Sequence, residues 1–231
     1  MRLLAILLGL SMSLAAHAQE AGGISPSLSR CAGKAGGSLR EGDPAFVTIA
    51  LDGEPWITIE RTEATVGTQL IATTLTGTGW QRRRDGTSAH FRFTCVLDDR
   101  GQAVLFHPSS LLRELGDRLP PAIVVDGNAS IARNARLPRG AELQVQLFDR
   151  SQPPGTMVLA EQVVRSGWHV PIAFALRLPK DAVRGDRLEM TARIVHAHQT
   201  LFELKEPRTL DEKDLQTFIA LTLTEAKPSG R

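Results

Sequence analysis

Apolar and polar residues alternate along most of the chain after position 45. In "LPRGAELQVQLFDRS", residues 137–151, Ala141, Leu143, Val145 and Leu147 are separated by Glu142, Gln144 and Gln146. A period of two places successive side chains on opposite faces of an extended strand. The stretch therefore predicts a strand with one face on a core and the other in water. The pattern recurs. "FVTIALDGEPWITIE" has Val47, Ile49 and Leu51 on one parity, then an Asp52-Gly53 turn signal, then Ile57 and Ile59. "SAHFRFTCVLDDRGQAVLFH" reads as a hairpin, with Phe91, Phe93, Cys95 and Leu97 on one face and "DDRG" at the turn. Further on, Val170, Ile172, Phe174, Leu176 and Leu178 share a parity, as do Leu188, Met190, Ala192 and Ile194.

Two stretches break the rhythm. Residues 19–44 are rich in Gly, Ser and Ala and read as a flexible N-terminal arm. After Pro108, Ser109-Ser110 can cap a short helix with Leu111, Leu112 and Leu115 on one side and Gly116 as its stop. "GDRLPP" then cannot continue a helix, so a linker is expected at 117–121. The fold class this predicts is all-β: two small β domains, 45–116 and 122–224, with one short helix between them and a polar tail at 225–231. The second domain, with about seven short strands spaced by Pro/Gly/Asp turns, is expected to be a β-sandwich.

The first eighteen residues carry a compartment signal. Arg2, the apolar run Leu3–Leu14 and Ala16-His17-Ala18 before Gln19 have the pattern of a cleaved signal peptide over 1–18. The run is shorter than the ~20 apolar residues a membrane helix needs, and no later segment approaches that length, so no membrane span is expected. A periplasmic location follows, with secretion as the lesser alternative. Cys31, the first of two cysteines, follows Leu28-Ser29-Arg30, which does not fit a lipoprotein cleavage site; no lipid anchor is expected. In an oxidising compartment Cys31 and Cys95 predict a single disulfide. Two free thiols, one of them nucleophilic and activated by a His or Lys partner, is the rival reading.

The succession "LPRGAELQVQLFDRS", "VLAEQVV", "VPIAFALRLPKDAV" and "RLEMTARIVHAHQTLFEL" resembles the YbaY/YscW-type domain, the type III secretion lipoprotein chaperone (pilotin) family, over about residues 122–224. The resemblance implies a small β-sandwich in the cell envelope. For the secretion-associated members it implies help in inserting a ring-forming protein into the outer membrane. It brings no catalytic residues with it. The first half resembles no family recognised from its residues.

Charge and chemistry change this picture little. Lys+Arg 27 against Asp+Glu 25 leaves a net charge close to zero, which gives no reason to expect nucleic acid or anionic lipid. His196 and His198 form a His-x-His, but "VHAHQT" lies where a hairpin should turn and no third ligand is visible, so no metal and no cofactor is expected. No Gly-x-Ser-x-Gly elbow anchors a hydrolase triad, and Asp98-Asp99 falls in a turn. An enzyme would need His107, Asp98 and a serine in one pocket. The most charged feature is "WQRRRDGTSAH": Arg82, Arg83 and Arg84 before Asp85-Gly86 form a hairpin tip. With Trp80 they make a candidate ligand or partner patch. Trp56, Trp80 and Trp168 are candidates for stacking on sugars. The function these residues predict is a non-catalytic envelope protein that binds another envelope component, with an open sheet edge that accepts a client strand as the expected mode. The alternative is a module that binds cell-wall glycan or lipopolysaccharide.

Overall fold

A computed structural model describes residues 25–42, 45–112, 116–132, 135–151, 157–166, 169–183 and 187–227. The signal-like segment 1–18, Leu115 and Trp168 lie outside the described residues. The alternating segments form strands, and the body is all-β. The first half holds β1 (Phe46–Asp52), β2 (Thr58–Val66), β3 (Gln69–Arg83), β4 (Ser88–Asp98) and β5 (Ala103–Ser110). The second holds β6 (Ala122–Ile131), β7 (Glu142–Asp149), β8 (Met157–Arg165), β9 (Ile172–Pro179), β10 (Leu188–His196), β11 (Gln199–Glu203), β12 (Arg208–Leu210) and β13 (Ile219–Glu225). A helix, α1 (Pro26–Gly42), precedes them.

The strands make two layers. One runs β5-β4-β3-β1-β8-β7-β10-β11, with β2 also on β3 and β12 also on β10. The other is β13-β6-β9, in which β13 and β6 are parallel, and a short pairing of β13 with β11 joins the layers. Between them lies the larger core, where Leu143, Val145 and Leu147 of β7 meet Phe174 and Leu176 of β9. Gly127 on β6 is required there. A Cβ at that position would come within 2.3 Å of the Phe174 ring and 2.4 Å of the Ile219 carbonyl. The smaller core lies on the opposite face of the long sheet, under α1, and packs Leu28, Ala32 and Ala35 against Ile49, Phe93 and Phe106.

The seam between the halves is a strand pair. β1 lies antiparallel between β3 and β8, with Ile49 opposite both Gln81 and Arg165. Its two faces serve different cores: Ile49 and Leu51 point to the helix side, Ala50 to the sandwich side. The hydrogen-bonded sheet thus passes without a break from the first half into the second.

Three expectations are corrected. Residues 26–42 are not a loose arm. Leu28, Cys31, Ala32 and Ala35 fall at i, i+3, i+4 and i+7, form one face of α1 and are fully buried. The glycines that obscure this pattern have a packing role, since a Cβ at Gly33 would come within 2.8 Å of the Arg165 guanidinium. Cys31 is bonded to Cys95 of β4, Cα to Cα 6.0 Å, which ties the helix to the sheet. The short helix does not begin at Ser109-Ser110, because β5 runs through Pro108 to Ser110 as an edge strand, where proline's missing N–H is tolerated. The two halves therefore have a connection without that cap, and the helix lies before the first strand. The Asp52-Gly53 turn signal is met by a turn in which the Trp56 N–H donates to the Gly53 carbonyl (2.8 Å), and β1 and β2 on either side of it each pair with β3 and not with one another. Finally, the polar face of β7 does not meet water. Glu142, Gln144 and Gln146 are all buried. β7 is a central strand with α1 near its far face, and the polar side chains satisfy one another. Gln144 donates to Ser29 Oγ (3.1 Å) and to Glu142 Oε1 (2.9 Å), and it accepts from Arg193 Nε (2.7 Å).

Candidate functional site

The hairpin tip forms as the turn chemistry requires. Gly86 has φ 87°, and Asp85 Oδ1 accepts from the Thr87 N–H (2.9 Å) and hydroxyl (2.6 Å). Those bonds, with the nearby Arg83, hold the Asp85 carboxyl below its ordinary value. Arg82 and Arg83 end β3, Arg84 starts the turn, and all are exposed. Trp80 is not part of a surface with them. It is 4% exposed, belongs to the sandwich core, and has the Arg82 guanidinium 5.5 Å from its ring centroid. A sugar cannot stack on it. Parity explains this: Trp80 sits opposite Ala50, whose side chain points to the same core.

Trp56 is engaged as well. Its indole N–H donates to the Arg177 carbonyl (2.6 Å), and its ring lies 4.5 Å from the Arg177 guanidinium. Asp98 accepts from the Arg100 and Gln102 N–H groups within its own turn, while His107 stands exposed on β5 opposite Thr94. His196 pairs with Gln199, and Ala197-His198 turn the hairpin with φ 47° and 65°. Among the described residues no group of three His, Cys, Asp or Glu is placed to hold a metal ion.

The polar constellation that sequence reasoning missed lies at the seam. Asp52, 1% exposed at the end of β1, accepts from Thr78 Oγ1 (2.7 Å) and Gln162 Nε2 (2.8 Å), and Arg177 Nη1 stands 3.7 Å away. Burial pushes the Asp52 carboxyl above its ordinary value, against the opposing pull of Thr78, Gln162 and Arg177. Burial likewise lowers Arg177. Arg177 Nη2 donates to the Pro120 carbonyl (2.7 Å), which fixes the connection between the halves. Nearby, Glu161 accepts from the Glu54 N–H and from Gln146, and burial raises its carboxyl too. No local spacing in the sequence connects Asp52 with Gln162, 110 residues apart.

The same residues close a sheet edge. β9 is the outer strand of the second layer and pairs only with β6 along that layer. Gln162 accepts from the Ala175 N–H (3.0 Å) and donates to the Ala175 carbonyl (2.9 Å), and Trp56 takes the Arg177 carbonyl. In an antiparallel pair, alternate residues turn both backbone groups away from the partner. Both of these groups on Ala175 and the carbonyl of Arg177 are therefore occupied by side chains. Likewise β1 occupies the outer side of β8. Among the described residues, the large apolar side chains most exposed in the second half are Val124 and Phe218, at 45% and 64%. Both lie on the side of the second layer turned away from its core. No helix of the described residues is long and apolar enough to cross a membrane.

Residues 120–214, under half of the 231, match the family model described as type III secretion system lipoprotein chaperone (YscW). No curated protein matches the chain. A similar solved structure is an alternative pilotin from the type II secretion system of Vibrio cholerae, 19% identical, with a TM-score of 0.41, covering 45% of this chain and 96% of that one. The family match coincides with the strand succession that carries the resemblance, and with the unit formed by β6 to β12.

Proposed function

We propose that this is an exported, non-catalytic envelope protein that acts by binding another envelope protein, in the manner of a lipoprotein chaperone. The observation that carries the reading is the match of residues 120–214 to that family. Two features of the molecule support it. The buried titratable groups Asp52, Glu161 and Arg177 are spent on internal partners at the seam and not turned to an opening. The surface instead offers Val124 and Phe218 beside one another in the second layer: Ile219 pairs with Gly127, so Phe218 falls near Asp126, two residues from Val124.

Strand addition at β8 or β9 is not the mode this geometry favours, because β1 and the Gln162 and Trp56 side chains already occupy those edges. Contact through the outer face of the second layer is the better reading. Burial of Trp80 also takes away the ring beside the arginine tip on which a glycan would stack.

The test is in-cell photo-crosslinking with the probe at position 124 or 218, followed by identification of adducts and measurement of the client's envelope level after deletion. The reading expects one envelope protein captured at both positions and depleted on deletion. Capture of none, or a captured protein whose level and location do not respond to deletion, would sink it.

A further inference from the structure

The outer face of the second layer is low over most of its extent. The inward side chains of β13, β6 and β9 fill the larger core, so the positions of opposite parity turn outward. Most of these are small: Asn128 and Ser130 on β6, Ala173 and Ala175 on β9, Ala220 and Thr222 on β13. Val124 and Phe218 stand above this floor at one end, 45% and 64% exposed. Asp126 lies beside both. It is two residues, about 7 Å, from Val124 along β6, and one strand spacing, about 5 Å, from the level of Phe218.

Asp126 goes against the preferences of a strand. β6 is paired on both sides, and aspartate is among the residues that strands disfavour. No internal contact compensates for it, since no hydrogen bond or ion pair joins its exposed carboxylate to a described residue. The cation diagonally across on β9 is Arg177, which is opposite Val124. Its guanidinium is turned to Thr78, Asp52 and the Pro120 carbonyl and is 4% exposed. Arg208 reaches from β12 only to the Ala220 carbonyl (3.2 Å). Lys180 and Lys213 belong to turns beyond the strand ends, next in sequence to Asp181 and to Glu212 and Asp214. A residue that breaks a local rule with no structural gain marks a functional position.

We infer that Asp126 selects the client: the polypeptide segment that docks on this face sets a Lys or Arg against Asp126, flanked by apolar side chains that cover Phe218 and Val124. This rests on the reading that the outer face binds an envelope protein. Charge complementarity decides among occupants. A second copy packed face to face would offer Asp126 no cation, because among the described residues no outward position of the three strands carries an exposed Lys or Arg. An anionic membrane surface would meet a carboxylate. A single segment has the spacing required, since side chains on one face repeat at about 7 Å in an extended chain and about 5–6 Å on a helix. Apolar cover from Phe218 and Val124 lowers the local dielectric, which strengthens the matched pair and penalises a like charge in its place. Asp126 therefore contributes selectivity and register, while the two apolar side chains contribute area.

The experiment places an aromatic photo-crosslinking probe at position 218 of the full chain in cells, with Asp126 intact, Asp126→Asn or Asp126→Lys, and maps the captured segment by mass spectrometry. The expected segment carries a Lys or Arg within about four residues of the crosslinked position. Adduct yield falls severalfold with Asp126→Asn and about tenfold or more with Asp126→Lys. Changing the client's cation to Glu abolishes capture by the chain with Asp126 and restores it with Asp126→Lys. Because the Asp126 side chain is exposed and makes no internal contact, both variants keep the unsubstituted melting temperature; the isosteric Asn variant and the swap in the client test the pairing should the Lys variant melt lower. A captured segment without Lys or Arg, an Asp126→Lys yield within about threefold of the unsubstituted chain, or a charge swap that restores nothing overturns the inference. Each of those results leaves binding at the outer face in place. No adduct with Asp126 intact removes the outer-face reading and this inference together.

Discussion

Replacing Gln162 with Leu tests whether the seam is held by the hydrogen bonds of one amide. Gln162 is fully buried, and its amide makes three bonds: to the Ala175 N–H, to the Ala175 carbonyl and to Asp52 Oδ1. Leu has nearly the same volume, so the cavity cost is small and the loss is in polar satisfaction. A buried group left without a partner costs about 1–3 kcal/mol, with charged acceptors at the upper end. Two backbone groups and one carboxylate then give about 4 kcal/mol. With a urea dependence of about 2 kcal/mol per molar, the unfolding midpoint falls by about 2 M. Equilibrium urea unfolding followed by tryptophan fluorescence reads this directly, and Asp52→Asn completes a double-mutant cycle with a coupling of about 1–3 kcal/mol. A Gln162→Leu loss below about 1 kcal/mol, or additivity with Asp52→Asn, would refute the claim that these bonds hold β9 to β1.

Other consequences can be checked in the same way. Arg177→Met keeps the bulk against Trp56 but leaves the Asp52 carboxylate buried without its cation, at a cost of about 3–5 kcal/mol; adding Asp52→Leu recovers most of it in urea melts. The folded-state pKa values of Asp52 and Glu161 are raised. Between the ordinary carboxyl value and the raised one the folded protein therefore binds more protons than the unfolded chain, and the contribution of these groups to stability falls as pH rises through that window. Glu161→Gln removes its share of this fall, measured as the urea midpoint from pH 4 to pH 7; a variant midpoint that falls with pH as steeply as the wild type's, or more steeply, would contradict it. Replacing both cysteines with Ala removes a bridge of sequence separation 64 and lowers stability by about 4 kcal/mol in the chain-entropy model, measurable by thermal unfolding. Gly127→Ala forces Phe174 to move and costs about 1–3 kcal/mol by the same measurement.

Strand identity was legible wherever one face meets a core, as in Phe91-Phe93-Cys95-Leu97 and Leu188-Met190-Ala192-Ile194, because parity alone decides it. Alternation does not say what covers the polar face, and β7 is the case in point. Gln144 alternates as a solvent-facing residue would, yet it is buried under Ser29 and Arg193. Glycine density misled over 26–42, where Leu28-x-x-Cys31-Ala32-x-x-Ala35 is a helical stripe that could have been read. The arginine tip was visible because its residues are contiguous. What contiguity does not tell is the face: sequence puts Trp80 two residues from Arg82, and the strand puts it on the core side.

The position of β1 also sets a timetable. Ile49 pairs with Arg165, 116 residues further along the chain. At about 5–20 residues per second of synthesis, that partner emerges roughly 6 to 23 s later. Until then the edge of β1 that β8 takes is unpaired and its sandwich side, with Ala50 beside Trp80, has no core to meet, although α1, β3 and β4 already cover its helix side. A chain that stalls or is clipped before β8 is therefore a sticky fragment and not a small stable protein, so whatever escorts this polypeptide during delivery must shield its opening hundred residues longest.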